Sequence, residues 1–275
     1  MNTPVRSQIP PIPRMPAVFG TMSGPRQVSA GGPVYDQAQS PLRSVAYALF
    51  EADGAALAQM LPAGFALWGA PRLAVEFAAL REIDWLGGRG YNMLMLRIPV
   101  VFTHRGTELQ GWFQPVCWED MAEPILSGRE ELGWSKVYGE LPVLAQSAEQ
   151  LVVAGEWDGF RFCELRLSGS APAQAAPLGT APCFHHKVVP ATQAWGDCDA
   201  SYITMTPAGG SSMRLLSHQA ATGAELVFRR PRWQDMPTQH QIVEPFAALA
   251  LGRLLQAGRF EARGGKDLSD QVRFD

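Results

Sequence analysis

The sequence predicts an α+β fold dominated by antiparallel strands, and three observations carry that expectation. Short segments rich in β-branched and aromatic side chains recur from Ser44 to Phe228. Gly, Pro and Asp-Gly signals separate them, and only two or three stretches have the composition and end signals of helices. With 275 residues, 47% of them apolar and 18% charged, the chain can bury a sizeable core. No internal repeat or composition break divides it after a proline-rich arm over residues 1–32, so residues 33–275 are expected to form a single domain.

The arm contains Ile9-Pro-Pro-Ile-Pro-Arg-Met-Pro16 and lacks the basic region and apolar run of a secretory leader. Ser44–Glu51 (SVAYALFE) suits a partly buried strand. Asp53 then offers an N-cap to a short helix, Gly54–Leu61, which Pro62 stops. Leu73–Leu80 and Met93–Phe102 are strands, the second an almost unbroken apolar run (MLMLRIPVVF), and Gln110–Val116 pairs near it. Asp120–Gly133 has helical composition and ends on a glycine, which puts Lys136 just past a helix C-terminus. Gln150–Ala154 and Phe160–Ser168 form a hairpin around Trp157-Asp158-Gly159, because Asp-Gly favours the left-handed angles of a tight turn. Gly169–Pro182 reads as a loop, and Cys183–Val189, Ala200–Met205 and Glu225–Phe228 as strands. A helix from Pro245 to Ala257 closes the series, with Gly258 beyond it.

Net charge is −3 with a sequence pI near 6.0, and the basic residues are scattered, so neither nucleic acid nor an anionic membrane is an expected partner. No stretch approaches the ~18 apolar residues of a membrane helix; a cytoplasmic protein with a small-molecule partner is expected. Cys117, Cys163, Cys183 and Cys198 include no C-x-x-C pair and are too sparse for a disulfide scaffold, so buried, unpaired thiols are expected. The histidines form no H-E-x-x-H pair, and adjacent His185 and His186 point to opposite sides of a strand. No metal and no cofactor is implied.

Against 20 arginines there are only three lysines, Lys136, Lys187 and Lys266. Arginine can hold a charge but cannot serve as a neutral amine near pH 7, so each lysine is a candidate nucleophile. Three positions draw attention: Arg43 at the head of the first strand, Glu76 inside an apolar strand (LAVEFAAL), and Lys136 at the end of Gly128-Arg-Glu-Glu-Leu-Gly-Trp-Ser-Lys136. Each also has an ordinary reading. Glu76 can be a buried carboxylate held by a structural arginine, and Lys136 a solvated residue whose charge suits a helix end.

The segment G-R-E-x-x-G-x-x-K resembles the Schiff-base lysine segment of the acetoacetate decarboxylase family, with Ser135 where that family usually has proline. SPLRSVAYALFEADGAALAQMLP, IPVVF, FHHKVVP and HQIVEPFAALALGRLLQAGRFEARG are similar to further family blocks in the same order, from about Gly32 to Gly265. The resemblance implies that Lys136 forms the imine, that Arg43 meets the substrate carboxylate and that Glu76 is an active-site glutamate. Tyr91, Met93, Trp134 and Glu130 become candidate substrate-binding residues. It also implies a cone-like β-barrel with a few flanking helices, and a homo-oligomer.

Two departures shape the expected chemistry. Val137 stands where the decarboxylases carry a second lysine, a cationic neighbour that activates the first. Burial can shift a lysine by up to roughly 3–5 pKa units and so can replace that repulsion. Met93 stands where the family carries another catalytic glutamate, which leaves the proton step after imine formation to Glu76, Tyr91 or water. Three activities follow: decarboxylation of a β-keto acid, aldol condensation and dehydration of pyruvate-like acids through the same imine, or binding of a small acid without catalysis. A serine hydrolase is a poor third reading, because no G-x-S-x-G elbow is present.

Overall fold

The computed structural model describes residues 14–19, 24–26, 35–173, 177–178 and 181–275. Its strands in chain order are β1 (Leu42–Ala52), β2 (Phe65–Leu67), β3 (Arg72–Ile83), β4 (Arg89–His104), β5 (Thr107–Glu119), β6 (Lys136–Tyr138), β7 (Val143–Gln146) and β8 (Gln150–Trp157). There follow β9 (Phe160–Ser168), β10 (Ala171–Pro172), β11 (Cys183–Pro190), β12 (Cys198–Thr206), β13 (Arg214–Ala220), β14 (Gly223–Phe228), β15 (Leu251–Arg263) and β16 (Val272–Phe274). The α-helices among the described residues are the short α1 (Gly54–Gln59), α2 (Ala122–Ser127) and α3 (His240–Ala248). None among the described residues is long and apolar enough to cross a membrane.

Twelve strands form one sheet in the order β10-β13-β15-β1-β3-β4-β5-β11-β12-β16, with β2 added to β4 and β6 to β5; the second sheet runs β14-β9-β8-β7. Pairing is antiparallel except where β5 meets β6 and β11. The strand-dominated α+β class agrees with the sequence. Closure into a barrel does not: pairing ends at β10 and β16 with no ladder joining those edges among the described residues. Each of those edge strands offers only two or three residues. Register shifts between Leu49 and Phe50, Leu80 and Ile83, and Leu96 and Ile98 mark bulges, which bend strands and increase their twist.

Strand alternation sorts the side chains of β1, β3, β4 and β5 into two apolar layers. Ala46, Ala48, Val75, Phe77, Leu94, Leu96 and Trp118 join Val153, Phe162 and Leu165 of the second sheet in the larger core. Val45, Tyr47, Ala78, Leu80, Met93, Met95, Cys117 and Phe260 form the other. Both faces of β4 are therefore covered, which explains an apolar run broken only by Arg97.

Local signals mostly act as read. Asp53 Oδ1 accepts from the Ala55 N–H at 2.9 Å, and Asp158 (φ 48°) and Gly159 (φ 82°) make the two-residue turn between β8 and β9. The expected helix Pro245–Ala257 is corrected. The helix runs over His240–Ala248 with Pro245 inside it, and the following residues form β15, paired with both β1 and β13. The helix-forming composition of LLQA yields to two flanking ladders. The helix Asp120–Gly133 is likewise narrower, with α2 passing into a π-helical turn over Gly128–Leu132 before Gly133 takes a left-handed conformation (φ 77°). All four cysteines are free, but Cys198 is exposed and Cys183 only partly buried, against the expectation of buried thiols. His185 is buried while its neighbour His186 is partly exposed, as alternation requires. Most of the proline-rich arm, residues 1–13, 20–23 and 27–32, lies outside the described residues, as do 174–176 and 179–180 of the expected loop.

Candidate active site

The second apolar layer lines a cavity of about 540 Å³, and the ladders place its polar residues on three successive rungs. Arg43, Leu80 and Tyr91 share the first rung. Val45, Ala78, Met93 and Glu119 share the second, and Tyr47, Glu76, Met95, Cys117 and Lys136 the third. Residues two apart on one strand point to one face, so Arg43, Glu76, Tyr91, Met93 and Glu119 all face the cavity for one geometric reason.

Lys136 reaches this face from β6, whose parallel ladder to β5 pairs it with Cys117. Gly133 permits the turn into β6; Trp134 N–H donates to Gly128 O at 3.1 Å, and Arg129 Nη1 donates to Lys136 O at 2.8 Å. The side chain lies against Gly128 and is only 6% exposed as a residue. Its Nζ stands 2.8 Å from Glu119 Oε1, donates to Pro124 O at 3.0 Å and lies 5.1 Å from the centre of the Trp134 ring. Trp134 in turn stacks on His185 at 4.8 Å. His185 has no water contact, and burial together with the Lys136 charge holds its imidazole down to about 3, neutral at physiological pH.

Glu119 is fully buried, and its second oxygen has no hydrogen-bond partner among the described residues. Burial pushes its carboxyl above the usual range, against the pull of the Lys136 ammonium. Tyr91 is raised well above the usual phenol range, first by burial and then by the Glu119 charge, while Arg43 opposes the shift. It is a neutral phenol that senses both ends of the site.

Arg43 Nε donates to Gly264 O at 3.0 Å, and the guanidinium forms no ion pair among the described residues. Burial lowers its pKa, with Tyr91 and Glu76 acting the other way. Glu76 Oε2 accepts from Arg97 Nη2 at 2.8 Å, so the ordinary reading of a carboxylate held by an arginine describes its contacts. Glu130 does not reach the cavity. The π-helical turn directs Gly128 and Leu132 inward and Glu130 outward, where its side chain is 38% exposed and 3.3 Å from Arg14 Nε.

Glu131, the next residue, is held by both described pieces of the arm. Arg14 and Arg26 pair with its two oxygens, Arg26 through Nε at 2.6 Å, and Arg26 also donates to Asp267 O at 3.2 Å. Arg26 itself lines the cavity.

The sequence reading brought together Arg43, Glu76, Tyr91, Met93, Trp134 and Lys136, all of which line the cavity, but passed over Glu119 and Arg97. Continuing the alternation of Gln110–Val116 through Cys117 to Glu119 is the signal that finds the first. Arg97 stands within MLMLRIPVVF as its one charge, two residues on from Met95.

The acetoacetate decarboxylase (ADC) family matches residues 21–263. No curated protein matches the sequence. Among solved structures, one described as a structural study of acetoacetate decarboxylase aligns with a TM-score of 0.65 at 15% identity, covering 86% of this chain and 91% of the other. The acetoacetate decarboxylase of Legionella pneumophila aligns at 0.61 and 16% identity, covering 86% and 92%. The enduracididine biosynthesis enzyme MppR, complexed with pyruvate, aligns at 0.58 and 18% identity, covering 84% and 90%. These likenesses show the fold.

Proposed function

This chain belongs to the acetoacetate decarboxylase family, and on that premise we propose that it is a carbon–carbon lyase in which Lys136 forms an imine with a keto acid. The observation that carries the reading is the placement of the Lys136 amine, buried on the wall of an apolar cavity that also holds Arg43, whose guanidinium has no ion pair among the described residues.

The neutral amine attacks the ketone carbon, a C–N bond forms and water leaves, giving a protonated imine. That imine accepts the electron pair freed when a β-carboxylate departs as CO₂, and protonation of the resulting enamine completes decarboxylation. Arg43 binds a substrate carboxylate, since a guanidinium matches that group with paired donors. Glu76, oriented by Arg97, is the candidate proton carrier at the carbon beside the imine. Tyr91, Met93 and Trp134 bound the substrate. The volume of about 540 Å³ leaves room beyond a four-carbon acid for an apolar substituent along Met93, Met95 and Phe260.

A second reading is aldol condensation and dehydration on a pyruvate-like acid. It is favoured by the likeness in fold to MppR, which is described in complexes with pyruvate and with a pyruvate–imidazole-carboxaldehyde condensation product. Borohydride trapping with acetoacetate, pyruvate and an aromatic keto acid, followed by mass mapping, tests both. The expected result is a reduced adduct on Lys136 that Lys136→Met lacks, with CO₂ release marking decarboxylation and its absence marking aldol chemistry. If no acid gives an adduct while one still binds in an Arg43-dependent manner, the protein is a binder and the proposal is wrong.

A further inference from the structure

We infer that Glu119 is the catalytic acid–base of imine formation, taking protons from the Lys136 nitrogen and passing them first to the carbonyl oxygen and then to the departing hydroxyl; this rests on the proposed imine chemistry. Position carries the inference. Glu119 is the carboxylate in contact with Nζ, at 2.8 Å. Glu76 shares a rung with Lys136 but enters the cavity from β3, with β4 and β5 between it and β6, and its carboxylate is tied to Arg97. Asp120 is engaged elsewhere, its Oδ1 accepting from the Asn92 N–H at 2.7 Å.

The register gives the placement a second meaning. Met93 is the direct cross-strand partner of Glu119, so the acid that the family resemblance expects on β4 is supplied from the facing position on β5. Both side chains enter the same cavity. Cross-strand partners sit only about 5 Å apart at Cβ, so a carboxylate can change strands and still serve the same space.

A buried ion pair also solves the problem left by Val137. In water an ammonium and a carboxylate stay charged because their pKa values differ by about 6 units. In a dry site each charge is costly, and moving one proton from nitrogen to oxygen removes both charges together. The raised carboxyl of Glu119 has the direction this exchange needs. The step balances. The ammonium gives its proton to Glu119, the amine attacks, and the carbonyl oxygen takes the proton from Glu119 while the new C–N bond forms. Nitrogen then loses a proton to Glu119, and Glu119 passes it to the hydroxyl, which leaves as water when the nitrogen lone pair closes the C=N bond. One ammonium, one carboxylate and one ketone become one protonated imine, one carboxylate and one water.

The other titratable groups facing Glu119 are Tyr91 on β4, Cys117 on its own strand, Asp120 beyond it, Lys136 on β6 and His185 on β11 behind Trp134. Burial raises Tyr91 and Cys117 well above their usual ranges and keeps His185 neutral, so none of these three supplies a proton near pH 7.

The test is the rate of single-turnover borohydride trapping on Lys136 from pH 5 to 9, in the full chain. Glu119→Gln, an isosteric change, is expected to slow trapping by about 100-fold or more at pH 7, the usual range for losing a general acid–base. Glu119→Asp, the second variant should the first fail to fold, keeps the group but withdraws it and is expected to fall between. Glu119→Ala should regain rate on addition of formate. A Glu119→Gln rate within threefold of the parent with the same pH profile, or no formate rescue, overturns the inference and leaves the imine reading standing. No adduct in the parent protein removes the imine reading itself.

Discussion

Gly128 lies so close to Lys136 that a methyl group on its α-carbon would stand 2.5 Å from Cδ, 2.6 Å from Cε and 2.8 Å from Nζ. The obstacle is a flexible side chain and not backbone, so the fold can absorb Gly128→Ala by moving the lysine. That movement costs the amine its contact with Glu119, and a shift near 1 Å at a reacting atom can reduce rate by about 100-fold. The expected outcome is loss of Lys136 trapping with a melting temperature within a few degrees of the parent. Unchanged trapping would show that the amine has slack the packing does not suggest.

Arg43 is expected to set affinity for acids and not reactivity toward ketones. A charged hydrogen bond contributes about 1.5–3 kcal/mol, so Arg43→Gln should raise the concentration of keto acid needed for half-maximal trapping by roughly 10–150-fold. Trapping of a simple ketone such as acetone should change little. An equal loss for both compounds would assign Arg43 to holding the start of β1 against the end of β15 through Gly264.

Lys136 and Glu119 are expected to be coupled in stability as well as in the proposed chemistry. Removing one partner of a buried pair leaves an uncompensated charge, a loss of about 3–5 kcal/mol. Lys136→Met alone should therefore lower the denaturation midpoint, and adding Glu119→Gln should restore most of it. Additive losses in the double variant would mean that the two side chains are energetically independent despite the 2.8 Å contact.

His185 gives the fold a defined acid response. Its imidazole is held down to about 3 in the folded chain, whereas an unfolded histidine titrates near 6.5. Between these values the unfolded chain binds the extra proton, so this contribution is intact above pH 6.5 and is lost as pH falls toward 3. From pH 6.5 to 5 the loss amounts to about 2 kcal/mol. Denaturation measured at pH 7 and pH 5 should show a smaller difference in His185→Gln than in the parent. An identical difference would assign the acid response to other groups.

Much of this site follows from counting along strands. Arg43, Glu76 and Tyr91 have the parity that puts them on one face, and the apolar run around Met93 signals a strand covered on both sides. Glu119 escaped because the charged pair Glu119-Asp120 looks like a strand end and helix entry, whereas the ladder continues to Glu119 itself. The partner of a buried carboxylate cannot be read from its own segment; only the pairing of β5 with β6 brings Lys136 to it. Long-range pairing also decided β15, whose residues favour a helix locally and become a strand between β1 and β13. The clasp of Arg14 and Arg26 on Glu131 joins positions more than a hundred residues apart in sequence, so composition alone had no access to it.

The three-residue ladder between β5 and β6 works as a ruler for the contact between Lys136 and Glu119. Cys117 faces Lys136, and Glu119, two residues further on, faces Tyr138. Sliding β6 by a single residue would present Trp118 or Val116 to the lysine and send its amine toward the hydrocarbon core on the other side of the sheet. Insertion or deletion of one residue between Gly133 and Lys136 should therefore be more damaging to function than most substitutions there. A spacing error flips the Lys136 amine to the other face of the sheet, while a substitution leaves it pointing at Glu119.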